Sequence, residues 1–157
     1  MSALKRRLYR LLLPAYRVAM RQVRGLTMGA RAIVLDGEGR VLLIEHSYTP
    51  GWHLPGGGVE RRETVEEAII RELAEEAGIV AGHRPRLVSM HSNARLFRGD
   101  HVLLYRVDHW TVQPATSRGE ILRVEWFHPA DLPETTTPGT RRRIAEMLDG
   151  GPPDLFW

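Results

Sequence analysis

The sequence contains no cysteine among its 157 residues. Disulfide bonds are therefore excluded, and so is any zinc site that depends on thiolate ligands. On this count alone the cellular compartment stays open, because proteins of oxidising and reducing compartments can both lack cysteine.

Long hydrophobic runs are absent as well. The apolar run Leu11 to Leu13 ends at Pro14, and Arg17 follows it closely. It is too short to span a bilayer. Because it also lacks the continuous apolar core and the small-residue cleavage site of a signal peptide, we expect a cytoplasmic protein.

Acidic residues are missing from the first 31 positions, which carry eight basic side chains. The rest of the chain holds 14 basic and 19 acidic residues, a balance of −5, although the whole chain has a net charge of +3. The excess of positive charge therefore belongs to the N-terminal segment, residues 1–25, which we call the leader.

The leader has the pattern of an amphipathic helix over residues 3–24, with leucines and alanines on one side and arginines on the other. Pro14 should kink this helix. Three interpretations remain open: packing on its own domain or on a second subunit of a homodimer, peripheral contact of residues 1–24 with a membrane surface, and nucleic-acid binding. The last is the least favoured, because no nucleic-acid-binding motif is recognisable.

The remainder has the composition of one soluble globular domain, with 43% hydrophobic and 26% charged residues in the whole chain. We place this domain at residues 26–150. Residues 151–157 form a tail that ends in Asp154-Leu155-Phe156-Trp157 and is unusually apolar. It is expected to dock on the domain or on a partner subunit.

The order of predicted elements indicates an α+β fold. A hairpin is predicted over residues 27–46 with its turn at residues 36–39, further strands at 86–91, 102–108 and 122–127, and a polar loop at 111–118. A helix at residues 137–148 should carry Arg141, Arg142 and Arg143 mostly on its exposed side.

The longest regular helix pattern in the domain runs from Thr64 to Ala77. Thr64 is a suitable N-cap, Glu67 completes a capping box, and Gly78 follows at the position where helices end in a left-handed residue.

Three acids of this helix lie where apolar residues are expected. At about 100° per residue, Glu72 and Glu76 fall within the stripe formed by Val65, Ile69 and Leu73, and Glu75 lies on its edge. These carboxylates repel one another at the end of the helix whose dipole favours cations. A hard divalent cation such as Mg²⁺ or Mn²⁺, with oxygen ligands and open positions for water and phosphate, would remove both costs.

The stretch from Gly57 to Ile79 resembles the Nudix box, the signature of the Nudix (MutT-like) hydrolase family. Every fixed position of that motif is matched without departure: Gly57, Glu63, Arg71, Glu72, Leu73, Glu75, Glu76, Gly78 and Ile79. The resemblance implies the family's α/β/α sandwich, in which a mixed sheet lies between helices. It also implies metal-dependent hydrolysis of a nucleoside diphosphate linked to another group.

The resemblance assigns roles to particular residues. The metal site would consist of Glu72, Glu75, Glu76 and the backbone of Gly57. The supporting residues would be Glu63 and Arg71. The catalytic acids would be Glu72, Glu75 and Glu120. For the general base, Glu72 and Glu120 are the candidates, and Glu125 competes with Glu120.

The substrate is less well specified. Arg95, Phe97 and Arg98, in the segment joining two predicted strands, have the chemistry for phosphate contact and base stacking. The same composition is also usual in an exposed loop, and this alternative stays open. Relatives that hydrolyse ADP-ribose often carry a proline that would fall near Ala94 and Arg95, and neither is proline. Nucleoside triphosphates, nucleotide sugars and dinucleoside polyphosphates remain open. The alternative is a non-catalytic nucleotide-binding or regulatory module, with association of the leader with a membrane surface left open.

Overall fold

The computed structural model describes residues 25–117 and 119–157. The predicted leader helix lies outside them. The strands are β1 (Thr27–Val34), β2 (Val41–His46), β3 (Trp52–His53), β4 (Ile79–Ala81), β5 (Arg86–Ser92), β6 (Asp100–Val107), β7 (Trp110–Val112) and β8 (Ile121–Phe127). The helices are α1 (Val65–Ala77) and α2 (Pro138–Asp149). Within the described part of the chain, neither helix combines the length and apolar character that a membrane span requires.

The strands form a mixed sheet arrangement. Strand β6 pairs in parallel with β1 and antiparallel with β5, and β2 pairs antiparallel with both β3 and β8. Strands β4 and β7 form a separate antiparallel pair. The predicted strands in the second half of the domain are confirmed, whereas the short strands β3, β4 and β7 were missed, and β7 overlaps the predicted polar loop.

The predicted hairpin over residues 27–46 is wrong in its pairing. Its turn forms, with Gly39 in a left-handed conformation and its amide donating to Asp36. Beyond the turn, however, the two segments pair only through an isolated bridge between Leu35, which follows β1, and Val41, and β1 and β2 enter different sheets. Turn residues act locally, whereas β1 pairs with β6 and β2 pairs with β8, strands that lie more than 60 positions away in the chain.

Alternating side chains of the central strands pack against a helix on each face. On one face, Ala30, Ala32 and Leu42 join Ile69 and Leu73 of α1 in the core. On the other, Ile33, Val41 and Leu43 join Ile144 of α2. This alternation places the strands between two helices, which confirms the predicted α+β sandwich.

Helix α1 begins and ends as the sequence predicts. The Thr64 hydroxyl accepts from the Glu67 amide, and the Glu67 carboxylate accepts from the Thr64 amide, so the capping box is complete. Gly78 ends the helix at φ 65° and donates to the Leu73 carbonyl. The register of the helix is therefore fixed at both ends, and so is the direction of its acidic side chains.

The prediction that the arginines of α2 are mostly exposed is wrong for Arg143, which is fully buried. The tail folds back over α2 and covers this side chain, and Arg143 donates to the Phe156 carbonyl (3.0 Å) and to Glu146 (2.6 Å). An arginine in a short amphipathic helix is usually exposed, so its burial depends on the tail, which helical periodicity does not register.

Candidate active site

A glycine loop, Pro55 to Gly58, lies against β1 and forms the floor of the candidate site. The amide of Ala30 donates to the Gly57 carbonyl, and the amide of Ala32 donates to the Pro55 carbonyl, both at 2.9 Å. Gly56 has φ 132°, and a Cβ there would collide with the backbone of Ala30. Glycine is required at this position because the loop and the strand touch through their backbones.

Two acidic side chains of α1, Glu72 and Glu76, face this loop. The Gly56 amide donates to Glu76 Oε2 at 2.7 Å. The neighbouring Gly57 lies against Glu72, since a Cβ on Gly57 would come within 2.6 Å of the Glu72 Cδ. The structure therefore brings Glu72 and Glu76 to the glycine loop. Glu75 lies at the rim, with 44% of its side chain exposed.

Arg71 connects the acids to the loop. Its guanidinium donates to both oxygens of Glu63 (3.2 and 2.9 Å), to Glu72 (2.9 Å) and to the Gly58 carbonyl (3.3 Å). A longer contact of 3.3 Å reaches Glu75. These contacts raise the pKa of Arg71 and lower the pKa of Glu63, so both side chains are charged at neutral pH. Arg71 therefore links Glu63 and Glu72 to the glycine loop, which is the geometry that the predicted supporting role requires.

Arg71→Lys is therefore expected to lower kcat while the protein stays folded, because an ammonium group cannot reproduce the forked contacts of a guanidinium. The expected loss is about 10- to 100-fold, the usual effect of removing a residue that orients metal ligands. Steady-state kinetics and thermal unfolding measure the two effects. The matched control is Arg84→Lys, because the exposed Arg84 pairs with Glu66 of the same helix. Equal losses of kcat in the two variants would contradict the bracing role.

Glu76 is the most deeply buried acid of the site, with 7% of its surface exposed. Burial raises its pKa to about 7, and the charges of Glu72 and Glu120 act in the same direction, whereas the Gly56 amide and Arg31 oppose them. Burial also raises the pKa of Glu72. The protein therefore holds two carboxylates where their negative charge is disfavoured.

Sequence reasoning missed Arg31, which it counted only among the eight basic side chains of the first 31 positions. Arg31 extends from β1 and donates to the carbonyls of Leu54 (3.1 Å) and Gly56. Its positive charge lowers the pKa of both Glu72 and Glu76. The available signal was the position of Arg31 between Ala30 and Ala32, since a charged residue between two buried strand residues needs a specific partner.

His46, which sequence reasoning left without a role, is also part of the site. It is buried beside Glu76, with Nε2 at 3.9 Å from Glu76 Oε1. Burial lowers the pKa of His46 to about 4, and the charge of Arg31 adds to this effect. The imidazole is therefore neutral at pH 7 and does not form an ion pair with Glu76.

Glu120 lies on the site side of the turn that precedes β8. Its side chain is exposed, and its charge is close enough to raise the pKa of both Glu76 and Tyr48. The Glu120 carbonyl accepts from the Ser47 amide at 2.8 Å, which ties the turn to the end of β2. Glu125 lies further along β8, where its charge acts on Arg123. Glu120 is therefore the better placed of the two competing acids.

The predicted substrate residues lie apart from one another. Phe97 lines a cavity beside the glycine loop, whereas Arg95 and Arg98 do not. The Arg95 guanidinium instead lies over the ring of Phe156, 4.3 Å from its centre. Arg98 is exposed.

The donor chemistry of the site fits a hard divalent cation. Glu72, Glu75 and Glu76 offer only oxygen atoms, and Gly57 has no side chain to block approach from the loop. Among residues 25–117 and 119–157, no three His, Cys, Asp or Glu side chains are already grouped as a metal site. Arg71 and the Gly56 amide hold the carboxylates in this arrangement, so metal binding would exchange some of these contacts.

Comparison with known proteins agrees with the resemblance that residues 57–79 show. The family model described as NUDIX domain matches residues 25–148. The chain is 30% identical over 125 residues to a putative 8-oxo-dGTP diphosphatase of Bacillus subtilis, covering 79% of this chain and 81% of the relative. It is 47% identical over 51 residues to an RNA pyrophosphohydrolase of Pseudomonas aeruginosa, covering 32% of each. The crystal structure of a MutT NUDIX hydrolase from Burkholderia pseudomallei superposes with a TM-score of 0.65 at 30% identity, covering 76% of this chain and 95% of that one.

Proposed function

Because this chain belongs to the NUDIX domain family of hydrolases, we propose that it is a metal-dependent pyrophosphohydrolase that cleaves a nucleoside diphosphate linked to another group. The observation that carries the proposal is the convergence of α1 on the glycine loop. The Gly56 amide contacts Glu76 at 2.7 Å, and Glu72 lies against Gly57. Acids and exposed loop backbone thus meet at one place, as a diphosphate site with a bound cation requires.

The residues that would hold Mg²⁺ or Mn²⁺ are Glu72, Glu75 and Glu76, with the backbone of Gly57. When bound, the ion would neutralise phosphate charge and lower the pKa of a water molecule. Arg71 and Glu63 would keep the carboxylates and the loop in position. Arg31 would add positive charge beside the loop, where a diphosphate develops negative charge during cleavage.

The proton of the attacking water needs an acceptor, and two carboxylates remain candidates. Glu72 is held by Arg71 against Gly57. Glu120, in the turn before β8, is exposed, and its charge raises the pKa of Glu76. Glu75, at the rim, is proposed as a metal ligand that also contacts the reacting phosphate.

Two relatives indicate which substrates to test first, because one is named a putative 8-oxo-dGTP diphosphatase and the other an RNA pyrophosphohydrolase. The assay measures phosphate and pyrophosphate release from 8-oxo-dGTP, the ordinary nucleoside triphosphates, 5′-triphosphorylated RNA, nucleotide sugars, ADP-ribose and dinucleoside polyphosphates. We expect turnover of at least one substrate with Mg²⁺ or Mn²⁺, and none after chelation. Turnover that survives chelation would contradict the metal requirement, and binding without turnover would favour the alternative of a non-catalytic module.

A further inference from the structure

A cavity of about 300 Å³ lies directly beside the glycine loop. Its lining includes Arg31, Gly57, Gly58, Asn93, Phe97 and Trp157. Gly57 thus contacts Glu72 and also borders this cavity, so a molecule whose diphosphate lies at the loop could place the rest of its structure there. Trp157 comes from the tail, outside the residues that the family model matches.

The tail is held in place by backbone hydrogen bonds. The Ser92 amide donates to the Leu155 carbonyl (2.8 Å), and the Trp157 amide donates to the Ser92 carbonyl (3.0 Å), so the tail extends the sheet beside β5. Arg142 donates to the Trp157 carbonyl (2.6 Å), and Arg143 donates to the Phe156 carbonyl (3.0 Å). The backbone that carries the indole is therefore fixed on both sides.

The indole itself is packed against buried residues. Its Nε1 lies so close to Gly139 that a Cβ at that position would be only 2.6 Å away. The buried His91 ring meets it edge-on, with centres 5.7 Å apart, and the Arg143 guanidinium lies 5.6 Å from the ring centre. A ring that is already ordered loses little conformational freedom when a ligand stacks on it.

The same cavity carries groups that can form hydrogen bonds. Asp100 accepts from the Thr27 hydroxyl (2.6 Å) and from the Asn93 amide nitrogen (2.8 Å), which orients the Asn93 side chain. Asn93 also carries an acceptor oxygen, so one amide can offer both a donor and an acceptor. Two aromatic side chains with an oriented amide suit a flat heteroaromatic ring better than a sugar or an aliphatic chain.

We propose that Trp157 is a specificity-determining residue of this enzyme, which binds the base of a nucleotide by stacking in the cavity that it forms with Phe97 and Asn93. The proposal rests on the proposed function for the position of the diphosphate at the glycine loop. It predicts that the tail selects substrates that carry a base over diphosphates that lack one.

The test measures the affinity of the full chain for AMP, GMP, CMP and UMP by isothermal titration calorimetry. In Trp157→Ala, the dissociation constant of the monophosphate that binds tightest should rise about ten-fold, as expected for the loss of one stacking partner. Trp157→Phe should recover much of the affinity. The control is Leu155→Ala, since Leu155 lies in the same tail, is 78% exposed and does not line the cavity; it should change affinity by less than about two-fold.

A second variant displaces the indole without altering a cavity side chain. Gly139→Ala suits a helix intrinsically, but its Cβ would push against the Trp157 ring, so it should weaken monophosphate binding while α2 stays folded. Inorganic tripolyphosphate, which has no base, should bind equally well to all variants. Equal weakening of tripolyphosphate, unchanged monophosphate affinity in Trp157→Ala, or no monophosphate binding by the wild type would overturn the proposal.

Turnover measurements distinguish a failure of the proposed role of Trp157 from a failure of the proposed hydrolase function. If Trp157→Ala raises KM for the best nucleotide substrate with little change in kcat, both stand. If turnover is normal and monophosphate affinity does not respond to Trp157, only the stacking role fails. If no substrate is hydrolysed but monophosphate affinity depends on Trp157, the cavity assignment stands and the hydrolase proposal fails.

Discussion

Glu76→Gln is expected to reduce metal-dependent turnover by about 100-fold or more, because it removes a charged ligand of the ion that the reaction requires. The amide oxygen of the introduced glutamine can still accept from the Gly56 amide, so the loop should keep its position. Steady-state kinetics with saturating Mg²⁺ measure the effect. Near-normal turnover under those conditions would contradict the assignment of Glu76 as a ligand.

The same variant should be more stable than the wild type in the presence of chelator. Because burial raises the pKa of Glu76 from 4.5 to about 7, the native state keeps this proton over a range in which the unfolded state loses it. The contribution to stability is full below pH 4.5 and is lost as pH rises through about 7, at a cost of about 3 kcal/mol. Glutamine does not ionise, so this loss should vanish.

The difference between Glu76→Gln and the wild type should be measured by urea unfolding at about pH 5 and about pH 8, on either side of the raised pKa. His46 contributes in the opposite sense, since its lowered pKa makes stability fall as pH decreases from 6.5 towards 4. The His46 contribution is present in both proteins, so the difference reports on Glu76 together with its electrostatic coupling to Glu72. A difference that does not grow between the two pH values would contradict the burial of an ionised carboxylate.

Gly57→Ala should abolish most activity while leaving the fold intact. The backbone at Gly57 has an ordinary conformation, so alanine introduces no backbone strain, but its Cβ would displace the Glu72 carboxylate. The expected loss of kcat/KM is about 100-fold or more, since both a proposed metal ligand and the loop surface change. Thermal unfolding should change little, because the Glu72 side chain can move.

Gly56→Ala provides the contrast one position earlier. Its Cβ would collide with the backbone of Ala30, and its φ of 132° is strained for alanine. This variant should lose about 3 kcal/mol or more of stability. If Gly57→Ala destabilised the protein as much as Gly56→Ala, the role of Gly57 would be structural and not catalytic.

The sequence was sufficient to predict the parts of the site that lie close together in the chain. Both ends of α1 depend on local capping residues, and the direction of Glu72 and Glu76 follows from the helical repeat between those ends. The glycine loop follows from consecutive glycines a few residues earlier. These features need no knowledge of long-range pairing.

Features that depend on distant parts of the chain were not predictable in the same way. Arg31 reaches the loop because β1 runs alongside Pro55 and Gly57, a contact across more than 20 residues. His46 is buried beside Glu76 because β2 is covered by α1. Arg143 is buried because the tail returns over α2. In each case the local pattern carries no information about which distant segment covers the residue.

The most direct test of the central claim is whether the acids of α1 bind a divalent ion. Mn²⁺ binding should be measured by electron paramagnetic resonance on the full chain, the Glu72→Gln/Glu76→Gln variant, and a control, Glu66→Gln, which changes an acid of the same helix that pairs with the exposed Arg84. The account predicts that wild type and control bind Mn²⁺ alike and that the double variant loses this binding. Equal Mn²⁺ affinity in all three proteins would contradict it.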